Sequence, residues 1–245
     1  MIQNRGFSLV ELSIVLIIIG ILVAGVSGGA KLIDNSRLRG VITEIQTIQG
    51  ASNTFQLTYS QLAGDMVGAY DFFSAQNCGG GVEAACDGDN NKFLEGSGDG
   101  GYYREEQNFW EHLFFAGILT NVTPVGDGST VYISNKFRSL TISADHVNFF
   151  SSRTGLRLGA QRPVRIASYP SHTYNNKGVL FTPRQAYQID KKLDDGVPVL
   201  GKIKGSHGLY SDESASTSCN ASGEYNILIN TTECYIEVEL EVFGL

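Results

Sequence analysis

The residues best suited to binding chemistry lie between 78 and 99. In Asp87-Gly88-Asp89-Asn90-Asn91, oxygen-bearing side chains recur at alternate positions through Asp87, Asp89 and Asn91. A chain turning through such a segment can wrap a hard cation, and calcium accepts roughly six to eight oxygen ligands. The calcium loop of helix-loop-helix proteins asks for Gly where Lys92 stands and for a bidentate Glu where Gly98 stands. That pattern therefore fails, and only a shorter loop completed by Glu95 or Asp99 stays open. The competing reading is an ordinary turn, which the same residue types favour. Calcium is the one ion the segment offers, and nothing else in the chain requires a cofactor.

Elsewhere the residues argue against catalysis. His112 has no recognisable serine, cysteine or carboxylate partner pattern, and the chain shows neither a phosphate-binding loop nor a nucleophile motif. Asp190, Asp194 and Asp195 flank Lys191 and Lys192 and read as a solvated helix end. The net charge of −7 argues against a nucleic-acid partner, because such a surface repels phosphates at long range. The four cysteines form two sequence-local couples, Cys78 with Cys86 and Cys219 with Cys234. Their even count suits disulfides in an oxidising compartment. Three connectivities are open, and the local couples close the shortest loops at least entropic cost. Neither couple has Cys-x-x-Cys spacing, so zinc is disfavoured.

The N-terminus is more specific. Residues 7–26 hold one ionisable group, Glu11, in a run of apolar residues. As a helix rising about 1.5 Å per residue, that run spans a bilayer core of roughly 30 Å. Arg5 and the amino terminus precede it, which places the short side in the cytoplasm and the bulk outside. A secretory signal would place a small-residue cleavage site after the apolar core. Here the small residue at the polar boundary is Gly6, before it. A carboxylate inside an apolar span is costly without a partner, and Glu11 has none within the span.

The run Arg5-Gly6-Phe7-Ser8-Leu9-Val10-Glu11-Leu12 with its Ile/Leu/Val continuation resembles the class III signal of type IV pilins and type II secretion pseudopilins. The resemblance implies cleavage between Gly6 and Phe7 by a membrane aspartyl peptidase, and N-methylation of Phe7 by the same enzyme. It implies assembly with other pilin or pseudopilin subunits on an inner-membrane platform driven by a cytoplasmic ATPase. Glu11 would fix axial register by pairing with the Phe7 amino group of a neighbour. Many pilins carry a proline after the apolar run; here Gly25, Gly28 and Gly29 stand instead, which leaves a local melt in the filament open.

Behind the span, Leu32, Ile33, Leu38, Val41, Ile42, Ile45, Ile48 and Phe55 recur at three- and four-residue steps. This is one amphipathic stripe, laid against a globular head. Gly64-Asp65 reads as the stop, and the Gly/Asp/Asn-rich stretch 71–103 as a loop. Residues 105–119 read as an amphipathic helix. Short β-prone runs at 131–133, 140–142, 147–150, 156–158 and 164–166 predict a small antiparallel sheet. Thr182 and Pro183 open a helix through Leu193, and the tail predicts strands at 225–229 and 235–243.

The expected fold is α+β: a long N-terminal transmembrane and amphipathic helix packed on a head with an antiparallel sheet. Its parts are a leader at 1–6, a membrane-spanning half at 7–26, an amphipathic half at 27–63 and a head at 64–245. The expected role is a structural subunit of a pilus or secretion pseudopilus, held in the inner membrane before export. A minor tip subunit acting as adhesin or DNA-uptake module is the alternative, because the head is large for a subunit repeated along a fibre.

Overall fold

One helix, α1 (Leu9–Tyr59), runs for 51 residues and carries everything else on its second half. It belongs to a computed structural model that describes residues 8–94, 105–120, 131–133, 140–147, 153–160, 180–206 and 218–242. At about 1.5 Å per residue α1 extends for roughly 75 Å. It is continuous through Gly25, Gly28 and Gly29 in the single chain. Each glycine costs a helix about 1 kcal/mol, but adding a residue to an existing helix is far easier than nucleating a new one. The helix stops at Tyr59, short of the expected 63, because Ser60 enters the left-handed region at φ 57° and returns its N–H to Gln56 O at 2.8 Å.

Leu38, Val41, Ile45, Ile48 and Phe55 form the buried stripe of α1, each at most 3% exposed. Leu32 and Ile33, expected in the same stripe, are 72% and 56% exposed, so the head begins later than the periodicity suggests. Among the described residues, its first hold on α1 is Gln185 Nε2, which donates to Asp34 Oδ1 at 3.0 Å.

The stretch read as a loop is partly helical. It contains α2 (Ala69–Phe73), 3-10 turns at Ser74–Gln76 and Cys78–Gly81, and α3 (Glu83–Cys86). Ala69, Phe73, Cys78 and Cys86 are buried, and that burial orders a polar segment of low helix propensity. Helix α4 (Glu105–Phe115) ends earlier than expected: Gly117, at φ +69°, turns the chain so that Ile118 N and Leu119 N both reach Leu113 O at 3.1 Å.

The strands β1 (Val131–Ile133), β2 (Leu140–Val147), β3 (Arg153–Ala160), β4 (Ile203–Ser206) and β7 (Tyr235–Glu239) form one antiparallel sheet in the order β1-β2-β3-β7-β4. The runs at 140–142 and 147 join into β2, while 148–150 and 164–166 lie outside the described residues. On one face Ile142 pairs with Leu158, Ala144 with Leu156, and Leu156 with Val238, all fully buried. The expected strand at 225–229 shrinks to a two-residue ladder, β5 (Asn220–Ala221) with β6 (Glu224–Tyr225). Beyond it Ile229 N closes a turn on Asn226 O, and Leu228 is 84% exposed, so the alternation there has no buried face.

Helix α5 (Pro183–Leu193) starts where expected. Thr182 Oγ1 accepts from Gln185 N and Gln185 Oε1 accepts from Thr182 N, a complete capping box. Buried side chains from α1, α4, α5 and the sheet form a single core cluster.

Candidate functional site

Ser8 caps α1: its Oγ accepts from Val10 N at 3.3 Å, and Glu11 Oε2 accepts from Ser8 N at 2.9 Å. The carboxylate is thereby held at the positive end of the helix dipole, on the backbone N–H of the residue that follows Phe7. Gly6 and Phe7 lie outside the described residues. Behind Glu11 the helix is apolar and open: Leu9, Val10, Leu12, Ile14 to Ile19, Ile21, Leu22, Val23 and Val26 are each 49% to 86% exposed. The span has a mean hydropathy of 2.8 over its most apolar window and is long enough to cross a membrane.

A family model described as the prokaryotic N-terminal methylation motif matches residues 1–27. The chain carries the type IV pilin and pseudopilin signature. No curated protein and no solved structure matches it. The match thus covers the whole of the apolar run 7–26, while the head stands on its own geometry.

In the head, the two disulfides are Cys78–Cys86, with Cα atoms 5.3 Å apart, and Cys219–Cys234, at 5.1 Å. The first sits on the polar face of α4. Asn108 Nδ2 donates to Ala85 O and Cys86 O, both at 3.0 Å, and Glu111 Oε2 accepts from Gly79 N at 3.2 Å. His112, fully buried, accepts from Gly64 N at Nδ1 (2.9 Å) and lies 3.0 Å from Cys86 O through Nε2. That pattern assigns the proton to Nε2. Burial holds the ring neutral by lowering its pKa to about 4, against a smaller upward pull from the Cys86 carbonyl. His112 is thus a structural tie, and with both cysteines in a disulfide the trio offers no thiolate to a metal.

The oxygens proposed for calcium take divided roles. Asp87 Oδ1 accepts from Tyr70 N at 2.8 Å near the start of α2, and Asn91 Oδ1 accepts from Phe93 N at 2.8 Å. Asp89 caps its own turn through Asn91 N (3.0 Å) and Asn91 Nδ2 (3.1 Å). Asp89 also meets two carboxylates the sequence did not single out, Asp65 and Glu105. The Asp65 pKa is raised to about 6, first by burial and also by the charge of Asp89.

In a second acidic group, Asp190 with Asp194 and Asp195, each carboxylate accepts a backbone N–H, that of Asp195 from Val197 N at 2.7 Å. Tyr225 Oη donates to Asp190 Oδ2 at 2.8 Å and Gly196 N to Oδ1 at 2.9 Å, while Asp194 Oδ2 accepts from Lys202 N and Ile203 N. Burial raises the Asp190 pKa to about 6 and pushes the Tyr225 hydroxyl well above its usual range. These residues splice the end of α5 to β4 and β6.

Proposed function

We propose that the chain is a filament subunit of a type IV pilus or type II secretion pseudopilus. In this reading it is cut after Gly6, methylated at Phe7 and assembled through α1. The observation that carries this reading is the coincidence of the methylation motif at 1–27 with a helix that continues unbroken to Tyr59 while its first half stays exposed. A soluble protein does not leave such a surface in water. A bilayer covers it before assembly, and the helices of neighbouring subunits cover it afterwards. The head faces the periplasm, and the chain's role is structural rather than enzymatic. The partners are the prepilin peptidase and methylase, the assembly platform and other subunits.

Glu11 supplies the register. A lone carboxylate at membrane depth costs about 3 kcal/mol, and a neighbour's Phe7 ammonium offsets that cost. N-terminal sequencing and intact-mass measurement of the membrane-extracted protein, from cells with and without the peptidase, test the assignment. A methylated Phe7 terminus only when the peptidase is present supports it; a Met1 terminus in both strains would withdraw the assembly mechanism. Immunogold labelling then separates a repeated subunit from a tip subunit. Staining along the fibre sinks the tip-only alternative.

A further inference from the structure

We propose that Asp65, Asp89 and Glu105 form a binding site for one calcium ion that pins the 87–91 loop and the start of α4 to the exit of α1. Each residue comes from a separate part of the chain, and one carboxylate oxygen from each lies within 4.8 Å of the other two. Two oxygens that share an ion at about 2.4 Å can be at most about 4.8 Å apart, so the spacing admits a single calcium.

The burial of the group is what distinguishes it from an ordinary acidic surface. Asp65 is 0% exposed, its Oδ2 accepts from Lys92 N at 2.6 Å, and its Oδ1 has no hydrogen-bond partner at all. A buried carboxylate oxygen left without a donor is expensive, and a cation is the ligand that satisfies it. Glu105 is 1% exposed, while Asp89 is exposed and gives the site its mouth. The donors are oxygen only, from three acids, which selects a hard divalent ion over zinc or copper. Calcium needs further ligands beyond these three, and the open side at Asp89 admits water.

The fold goes to some trouble to bring the three together. Asn90 N donates to Asp65 O at 3.2 Å and Gly88 N to Met66 O at 3.0 Å, tying the loop to the backbone after α1. Asp89 N reaches Glu105 Oε1 at 3.3 Å. Glycine is required at both joins. A Cβ on Gly64, which sits at φ +91°, would run into Glu105 O and Phe109 N, and one on Gly88 would run into the Asp65 backbone. The carboxylates therefore meet because two backbones have been allowed into contact, and the site is fixed before any ion arrives. Asp87, by contrast, stands outside the group, committed to Tyr70 N.

The test uses the full-length chain in mild detergent, stripped of metal and then held in calcium chloride, magnesium chloride or chelator. Equilibrium dialysis should find one calcium per chain. Calcium at a hundredfold excess over its Kd should raise Tm on the order of 5 °C, with a smaller shift in magnesium. Asp65→Asn and Glu105→Gln should each abolish both the stoichiometric binding and the calcium-dependent shift, while Asp87→Asn keeps them. Asp65→Asn retains an acceptor for Lys92 N, so its Tm in chelator should match or exceed that of the parent. The absence of stoichiometric calcium on the parent chain, or a full calcium shift surviving in Asp65→Asn, would overturn the site. Because the dialysis of the parent chain needs no variant, a misfolded substitution does not rescue the proposal.

Discussion

Replacing His112 by Phe keeps an aromatic ring between Phe55 and Phe73, whose centroids lie 6.0 and 5.5 Å from the imidazole, and deletes both of its hydrogen bonds. The Gly64 N–H and the Cys86 carbonyl lose their buried partner. At about 1 to 3 kcal/mol for each buried group so deprived, the cost near pH 7.5 is about 4 kcal/mol. The pH dependence is the sharper test. Burial depresses the folded-state pKa of His112 from 6.5 to about 4, so the unfolded chain binds more protons between these values. The stability held by the neutral ring is complete above pH 6.5 and is lost as pH falls toward 4, by about 3 kcal/mol in all. Asp65 and Asp190 act in the opposite sense. Their pKa values are raised from 3.8 to about 6, so their stabilising protonation is present below 3.8 and lost as pH rises through 6. These contributions cancel when the parent is compared with His112→Phe at each pH. Urea titrations in mild detergent, followed by the single tryptophan, Trp110, which is 3% exposed and two residues from His112, supply the free energies. The difference between the two proteins should shrink from about 4 kcal/mol at pH 7.5 to about 1 kcal/mol at pH 4. A difference that stays constant over that range would refute a ring held neutral by burial.

Removing Cys219–Cys234, with a separation of 15 residues, should lower stability by about 3 kcal/mol, and removing Cys78–Cys86, with 8, by about 2.5 kcal/mol on the chain-entropy estimate; denaturant midpoints of the paired Cys→Ser variants measure both. Thr182→Ala deletes the acceptor for Gln185 N and should cost about 1 kcal/mol, read as a fall in Tm. A larger loss would show that Gln185 also lets go of Asp34. Gly28→Ala combined with Gly29→Ala meets nothing within 4 Å of either new Cβ, so it should stabilise α1 locally by about 2 kcal/mol and slow amide exchange across 26–33. Unchanged exchange there would mean that the glycines do not weaken this stretch.

What could be read in advance depended on the range of the interaction. Thr182, Pro183 and Gln185 lie within one turn, and their capping box follows from residue types alone. The Glu11 signal is equally local. The stripe from Leu38 to Phe55 was legible because its period is helical, although periodicity could not say that Leu32 and Ile33 lie beyond the head. Asp65 was taken for part of a helix stop. Its role depends on Gly88 and Glu105, far along the chain, and the one local hint was a glycine beside each of Asp65 and Asp89. Helix α4 misled in another way. Asn108 and Glu111 are buried because the backbone of the Cys78–Cys86 loop needs donors and acceptors, whereas an amphipathic reading assigns polar residues to water.

The division of labour along α1 bears on how the subunit is used. A span starting at Phe7 leaves a hydrocarbon core of roughly 30 Å after about 20 residues, near Val26. Among the described residues, the head takes hold at Asp34 and buries nothing apolar on α1 before Leu38. Between these limits the helix carries Gly28 and Gly29, its least favoured residues, together with Leu32 and Ile33, which are 72% and 56% exposed. Lipid is too thin to cover those two side chains and the head begins too late. The neighbouring helices of the proposed filament are long enough to reach them, because each subunit presents the same apolar surface from Leu9 to Ile33. The exposed surface exceeds what a membrane anchor needs, and that excess is what a bundle of helices would use.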